Sequence, residues 1–172
     1  MQRALREAMQ KAEGKQVEEA LRKNETYLAE AQRLSHTGSF GWKPSTGQLI
    51  WSEETFQIFR YDRNTTPTVE LVLQRVHPED VALVQQTIER ATQDGKGFEH
   101  AYRLLMPDGS IKHVHVVARA LDNESVTLEF VGAVIDVTVA KEAEKTLRES
   151  EAYLAEAQRL SHTGSWAWET HF

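Results

Sequence analysis

An internal repeat constrains the fold of this chain more than any other feature of its sequence. Residues 25–42 read ETYLAEAQRLSHTGSFGW, and residues 151–168 read EAYLAEAQRLSHTGSWAW. Fifteen of these eighteen aligned residues are identical, and the two segments begin 126 residues apart. Repeats of about 20–50 residues are typical of solenoids, whereas this longer spacing is that of whole domains in tandem. We therefore expect one complete domain, followed by the start of a second copy.

The repeat divides the chain into four segments. We expect an N-terminal linker helix over residues 1–34, a globular domain over 35–138, an exit linker helix over 139–160 and the truncated start of a second domain over 161–172. On this interpretation the chain is a piece of a longer protein.

The N-terminal segment is predicted to be an amphipathic helix that projects beyond its domain. No proline lies between Gln2 and Leu34, and strong helix formers dominate. A helix of this length spans about 50 Å, whereas the radius of gyration of a domain of about 100 residues is near 13 Å. We favour a coiled coil with a second copy, the alternative being a solvated helix on its own domain. The seam residues are Val17, Ala20, Leu21, Asn24, Tyr27, Leu28 and Ala31.

The residues that follow have the pattern of an α+β domain. The sequence predicts a hairpin over Ser39–Pro44 and Gln48–Ser52, a short helix capped by Ser52, a loop at Asn64–Thr68 and a second helix that begins near Pro78. Three more strands are predicted over Phe98–Met106, Ile111–Asp122 and Val126–Val137.

The last of these strands contains a segment that is apolar on both faces. Phe130–Ile135 reads FVGAVI, whereas a half-exposed strand would alternate between apolar and polar residues. Both faces of the sheet should therefore be covered at this point. The short helices can cover one face, and the linker helices or a second subunit would cover the other.

Five stretches of the sequence, in this order, resemble PAS domains of the bacterial sensory type that is common in histidine kinases. They are AQRLSHTGSFGW (31–42), TGQLIWSEETFQIF (46–59), RVHPED (75–80), YRLLMPDGSIKHVH (102–115) and FVGAVIDVT (130–138). The resemblance implies a five-stranded antiparallel sheet in the order 2-1-5-4-3, with short helices on one face and long linker helices at both ends. It also implies a sensory or relay module of a signalling protein, usually a histidine kinase or a cyclic-dinucleotide enzyme.

PAS domains can hold flavin, haem or small metabolites between the sheet and the helices. The adduct-forming flavin type requires a cysteine, and the chain has none. Haem requires an axial histidine, and we expect His77 to form local hydrogen bonds instead. We predict no cofactor and leave two alternatives open: a core filled by side chains, and a true cavity for a small ligand. The inward-facing residues are predicted to be Phe40, Trp42, Ile50, Phe56, Phe59, Tyr102, Leu104, Val114, Val116, Gly132 and Val134.

Three histidines on the predicted strands have a spacing that could suit a metal. His113 and His115 share one face, and the register of the hairpin decides whether His100 joins them. Because Val114 and Val116 form the more apolar face, we expect His113 and His115 to point outward, away from His100. We therefore predict no metal site.

The end of the last strand contains the candidate signal-transmission residues Asp136, Val137 and Thr138. Thr138 is predicted to cap the exit helix through its hydroxyl, and Asp136 to pair with a nearby cation or amide. In the family this position is thought to pass strand movement to the helix. Ordinary capping without a switching role is the alternative.

Charge and motifs exclude several classes of function. The net charge is −6, and residues 35–140 contain fourteen acidic and nine basic side chains, which argues against binding to a phosphate backbone. No apolar run approaches the roughly 18 residues that span a bilayer, and the sequence has no nucleophile motif or phosphate loop. The lack of cysteine suits a reducing cytoplasm. We expect a cytoplasmic, homodimeric, non-catalytic module that acts on downstream domains of the same chain and contacts neither nucleic acid nor membrane.

Overall fold

An antiparallel sheet of five strands, numbered in chain order and arranged as β2-β1-β5-β4-β3, forms the centre of the domain. The computed structural model describes residues 1–121 and 127–163. The strands are β1 (Thr37–Lys43), β2 (Gln48–Trp51), β3 (Phe98–Leu105), β4 (Ile111–Ala120) and β5 (Phe130–Asp136). This strand order and the antiparallel pairing confirm the fold implied by the resemblance.

Helices precede, interrupt and follow the strands. They are α1 (Gln2–Leu34), α2 (Glu53–Phe59), α3 (Val69–Arg75), α4 (Val81–Asp94) and α5 (Thr138–Thr163). The chain divides into two units, Met1–Asp136 and Val137–Phe172. In the described part of the chain no helix is both long enough and apolar enough to cross a bilayer.

The caps of the short helices explain why these segments are helical. The predicted cap of α2 is confirmed, because the Ser52 hydroxyl accepts a hydrogen bond from the Thr55 amide. Helix α3 was not predicted. It begins after Thr68, whose hydroxyl accepts from the Leu71 amide at 3.2 Å. A side-chain acceptor at this position satisfies an amide that has no partner within the helix.

The last two strands are shorter than the sequence predicts. Strand β4 ends at Ala120 and β5 begins at Phe130. The predicted ends at Asp122 and Val126 lie outside the described residues, as do residues 164–172, most of the predicted start of a second domain.

The core lies between one face of the sheet and helices α2–α4. Leu104, Val114 and Phe130 are fully buried on this inner face of the sheet. The outer face is more open, and Val131 on β5 is 45 % exposed. Helix α1 buries none of its residues. It therefore does not supply the cover that the sequence predicts for the outer face.

Candidate functional site

An apolar cavity lies between the inner face of the sheet and helices α3 and α4. Its volume is about 70 Å³, counted as room for the centres of water-sized molecules. Since one water needs about 10–15 Å³ by this measure, the cavity has room for roughly five waters. Its lining residues are Phe40, Trp42, Leu49, Trp51, Phe59, Val69, Val72, Val84, Thr87, Ile88, Phe98, His100, Tyr102, Val116 and Val134.

The structure brings six of the residues predicted to face inward to this cavity: Phe40, Trp42, Phe59, Tyr102, Val116 and Val134. Three others, Phe56, Leu104 and Val114, are buried in the core but do not line it. The sequence analysis missed the contribution of helices α3 and α4. Val84 and Ile88 lie four residues apart on α4, a spacing that places them on one face of the helix.

The prediction that Ile50 faces inward is wrong. Ile50 is 57 % exposed, whereas its neighbours Leu49 and Trp51 line the cavity. The hairpin register pairs Trp42 with Leu49 and Phe40 with Trp51. Because paired residues share a face of the sheet and neighbours alternate, Ile50 must lie on the outer face.

Aromatic rings form much of the wall of the cavity. The ring of Trp51 stacks on Phe59 with centroids 4.9 Å apart and meets Phe56 edge-on at 5.2 Å. Trp42 stacks on Phe130 at 5.2 Å. Pairs of this geometry contribute about 0.5–1.5 kcal/mol beyond their burial. The wall on the β2–α2 side therefore depends on Trp51, which the sequence analysis did not select.

Gly132 contributes to the cavity by having no side chain. It pairs with Phe40 across the β1–β5 ladder, and a Cβ on Gly132 would collide with the Phe40 ring and come within 2.5 Å of the Val117 carbonyl oxygen. Phe40 occupies the space above the glycine, which explains why Gly132 belongs to the inner face without lining the cavity itself.

Few polar side chains reach the cavity. Apart from the indole rings, polar side chains among its described lining residues come from Thr87, His100 and Tyr102. The Thr87 hydroxyl donates to the Leu83 carbonyl within its own helix at 2.8 Å. Burial raises the pKa of Tyr102 above its ordinary value, so its phenol stays protonated and can donate a hydrogen bond.

The three histidines on β3 and β4 are divided between the two faces of the sheet, as predicted. Val116 pairs with His100, and Arg103 with His113. His100 lines the cavity, while the ring of His115 bonds to the Glu99 carboxylate at 2.8 Å. Within residues 1–121 and 127–163, no group of three or more His, Asp or Glu side chains has a geometry that could hold a metal ion.

Ion pairs fix the start of α4 against β3. The Arg103 guanidinium donates to both Asp80 oxygens and to Glu79. Hydrogen bonds from the Arg103 side chain hold the pKa of Asp80 below its ordinary value. His77 forms the local bond that the sequence predicts, since its Nδ1 accepts from the Glu79 amide at 3.4 Å.

The end of β5 is held by contacts to both neighbouring strands. The Asp136 carboxylate lies 3.2 Å from the Lys112 ammonium on β4, and its amide donates to the His36 carbonyl just before β1. Asp136 thus has the predicted cation partner.

Thr138, the residue predicted to cap the exit helix, lies at the start of that helix. Helix α5 begins at Thr138, and its first hydrogen bond runs from the Lys141 amide to the Val137 carbonyl. By this bond Val137 occupies the N-cap position, and Thr138 lies in the first turn.

The volume of the cavity is small for a flavin or a haem. The chain has no cysteine for a flavin adduct, and the histidine that lines the cavity is His100, not His77. Room for roughly five waters is far less than a flavin or a haem requires. Small apolar molecules remain as ligands that this space would accept.

Comparisons with known proteins agree with this geometry. The sequence profile of the family described as PAS fold matches residues 48–134. The chain is 25 % identical over 134 residues to the probable diguanylate cyclase DgcE of Escherichia coli, covering 77 % of this chain and 12 % of that protein. It is 24 % identical over 118 residues to the sensor protein FixL of Bradyrhizobium diazoefficiens, covering 68 % of this chain and 23 % of FixL. The chain therefore spans less than a quarter of either relative.

A similar solved structure is that of a sensory box histidine kinase/response regulator from Burkholderia thailandensis. The TM-score is 0.55 and the identity 25 %, with 73 % of this chain and 95 % of that chain covered.

Proposed function

Because this chain belongs to the PAS fold family, we propose that it is a sensory and relay module of a longer signalling protein, with a histidine kinase as the output domain. A diguanylate cyclase is the alternative output, and similarity to both kinds of protein supports these two choices. In this proposal the module itself catalyses no reaction. Its role is to pass changes in the sheet to the helix that leaves the domain.

One observation carries this proposal. Strand β5 is the central strand of the sheet, paired with β1 and β4. A single residue, Val137, joins it to the 26 residues of α5. Strand and helix are therefore adjacent in the chain, and in the proposed relay a shift of β5 along its neighbours is passed to α5 at this point. We place signal transmission at Asp136, Val137 and Thr138.

The proposed module works as a homodimer. The α1 side chains of Leu21 and Leu28 are exposed, and those of Leu147 and Leu154 on α5 are exposed as well. Apolar stripes on long helices are buried most simply by the same stripe of a second copy. The half-exposed outer face of the sheet is a second surface for this contact.

The domain limits follow from the same proposal. We assign residues 1–34 to the incoming linker helix, 35–138 to the PAS domain, 139–160 to the exit linker and 161–172 to the start of a second PAS domain. The lack of cysteine supports a location in the cytoplasm, where the output domain would act.

Kinase output from the full-length protein tests the relay. Asp136→Ala and Thr138→Val should each change autophosphorylation severalfold while the chain stays folded. Thr146→Val is the matched control, because Thr146 lies on α5 and its hydroxyl bonds only within its helix. Unchanged output in both transmission variants, with normal folding, would remove the support for a relay through this site.

Light scattering tests the dimer. Val17→Glu with Leu28→Glu puts two charges into the proposed seam and should convert a dimer into a monomer. Ala8→Glu with Ala29→Glu adds the same charges at positions off the seam and should leave the dimer intact. A wild-type chain that is monomeric at concentrations of about 100 μM would contradict dimerisation through these helices.

A second candidate function is a sensor with a small ligand in the cavity, which the apolar lining supports. Xenon is a suitable probe because dry apolar cavities bind it. Xenon should shift the amide resonances of lining residues such as Val84 and Val134, and Val84→Phe should abolish these shifts by filling the space. A wild-type chain that shows no response and retains no small molecule on purification favours the relay alone.

A further inference from the structure

Ser39 on β1 is the meeting point of four elements. Its amide donates to the Ser52 hydroxyl at 2.9 Å. Its carbonyl accepts from the Ser52 amide and from the Thr55 hydroxyl, each at 2.9 Å. Its own hydroxyl accepts from Nε2 of Gln32 on α1 at 3.0 Å. One serine thus connects α1, β1, the end of β2 and the first turn of α2.

Gln32 is the anchor of α1. It is half-buried, whereas the other residues between Gln2 and Leu34 are exposed. After Gln32, the amide and hydroxyl of Ser35 both donate to the Ala31 carbonyl. His36 then turns the chain in the left-handed conformation, with φ of 50°. The direction in which α1 leaves the domain therefore depends on few contacts, of which the Gln32–Ser39 bond is the most buried.

These contacts form a joint around Ser39, made by Gln32, Gly38, Ser39, Ser52 and Thr55. The Ser39 joint is closely packed on the side that faces the core. Gly38 faces Thr55, which is fully buried, and a Cβ on Gly38 would lie 2.7 Å from the Thr55 amide nitrogen and 2.8 Å from its Cα. Strand β1 and helix α2 are in direct backbone contact here. A displacement of one must be accommodated by the other.

Helix α2 leads from the joint to the cavity. Phe59 lies four residues after Thr55 on this helix, and its ring stacks on Trp51. Both rings line the cavity. The path from Gln32 to the cavity wall therefore passes through Ser39, Thr55 and one turn of α2.

The internal repeat retains those residues of the joint that lie within residues 25–42, whereas Ser52 and Thr55 lie beyond the repeated segment. Gln32, Ser35, His36, Gly38 and Ser39 recur as Gln158, Ser161, His162, Gly164 and Ser165.

The three differences within the repeat fall outside the joint. They are at Thr26, Phe40 and Gly41. Thr26 bonds only within its own helix, and Phe40 faces the cavity. The repeat therefore keeps, in sequence, the α1 and β1 residues of the joint and differs at Phe40, a residue of the cavity wall in the described domain.

We propose that the Ser39 joint, formed by Gln32, Gly38, Ser39, Ser52 and Thr55, is the input connection of the module. Through it the orientation of α1 and the position of the cavity wall at Trp51 and Phe59 influence each other. This coupling goes beyond the proposed relay at Asp136 and does not require it, because the joint lies where the chain enters the sheet.

Hydrogen exchange and ¹⁹F NMR of chain labelled with 5-fluorotryptophan test the coupling in both directions. Gln32→Leu should speed amide exchange over residues 53–59 by roughly tenfold and shift the Trp51 resonance. Ser39→Ala keeps the backbone bonds to Ser52 and Thr55 but removes the acceptor for Gln32, so it should have the same effect. Gln10→Leu, at an exposed position of α1, is the control and should change neither signal.

The reverse direction follows from the reciprocity of coupling. Phe59→Leu should speed exchange in the last turn of α1, residues 31–34, in an otherwise wild-type chain, and should do so much less when combined with Gln32→Leu. The proposal would be overturned if neither Gln32→Leu nor Ser39→Ala changed the Trp51 resonance or the amide exchange rate of residues 53–59, in chains that remain folded. These signals require neither a dimer nor a kinase, so failure of the joint is distinguishable from failure of the proposed function.

Discussion

Arg103 on β3 binds both carboxylate oxygens of Asp80, with 2.7 Å from Nη2 to Oδ1 and 3.0 Å from Nε to Oδ2. The Arg103 amide donates to the same carboxylate at 2.8 Å. Asp80 directly precedes α4, the helix that contributes Val84 and Ile88 to the cavity. This two-pronged ion pair, the Asp80–Arg103 fork, therefore fixes α4, which lies over the cavity, to the sheet beneath it.

We expect Asp80→Asn to lower the melting temperature by several degrees at about pH 7, because the amide cannot replace the charge in the fork. The pKa of Asp80 is held below its ordinary value of 3.8 in the folded chain. Its contribution to stability is therefore present above about pH 4 and is lost as the pH falls through the lowered pKa. Urea unfolding at about pH 7 and pH 2 should show a difference between wild type and variant that shrinks in acid.

Glu79→Gln is the control for this fork. Glu79 is exposed, and its carboxylate meets Arg103 at 2.8 Å and lies 3.9 Å from Nδ1 of His77. Because these contacts are open to solvent, its replacement should have little effect at neutral pH. A difference between wild type and Asp80→Asn that is as large in acid as at neutral pH would contradict the assignment of the effect to the carboxylate.

Gly38→Ala should destabilise the chain by about 2–3 kcal/mol, at the upper end of the usual effect of overpacking. The added methyl group would meet the backbone of Thr55, which cannot rotate away as a side chain could. Gly41→Ala is the matched substitution on the same strand, where a Cβ has only the Phe130 carbonyl oxygen near it, at 4.0 Å. The repeat itself has alanine at this position, Ala167. Chemical denaturation that gives equal losses for the two variants would disprove the close approach at Gly38.

Phe59→Ala should cost about 3–5 kcal/mol of unfolding free energy, because it removes a buried ring and leaves a void next to Trp51. Ile50→Ala should cost less than about 1 kcal/mol, since most of that side chain is already in contact with water. Equilibrium unfolding in urea measures both. A large loss for Ile50→Ala in a monomeric sample would mean that β2 has the opposite register.

Asn24→Leu should strengthen the proposed dimer by roughly tenfold in its dissociation constant, because a polar residue in a coiled-coil seam reduces stability. Sedimentation at several chain concentrations measures this constant. Glu25→Leu places the same side chain off the seam and should leave it unchanged. Weaker association of Asn24→Leu would show that Asn24 does not face the partner helix.

The strands and the cap of α2 could be predicted because each depends on local residues. Ser52 before an acidic first turn predicts a helix by itself, and the alternation in β4 assigns His113 and His115 to the outer face without knowledge of the rest of the fold. Helix α3 has similar signals, since Thr68 precedes it and Arg75 lies in its last turn. Its seven residues are too short to show a helical period.

The cavity could be predicted only in part, because its wall depends on contacts between distant segments. The side of β2 that faces inward is set by the pairing of Lys43 with Gln48 across the hairpin, and an error of one residue exchanges Ile50 for Leu49 and Trp51. Val72 and Val84 reach the cavity because the Asp80–Arg103 fork and the pairing of Val76 with Leu104 place α3 and α4 over the sheet. No local pattern specifies that placement.

The position of β5 has a consequence for how the polypeptide acquires its structure during synthesis. The β1–β2 and β3–β4 hairpins are each closed by short connections, but they join into one sheet only through β5, whose Ile135 pairs with Thr37 at the far end of the domain sequence. A nascent chain that has not yet reached Phe130 therefore holds two separate hairpins with unpaired inner edges. Such edges bind other strands readily, and contacts between residues so far apart form slowly. We therefore expect the interval before β5 leaves the ribosome to be when this protein is most exposed to aggregation.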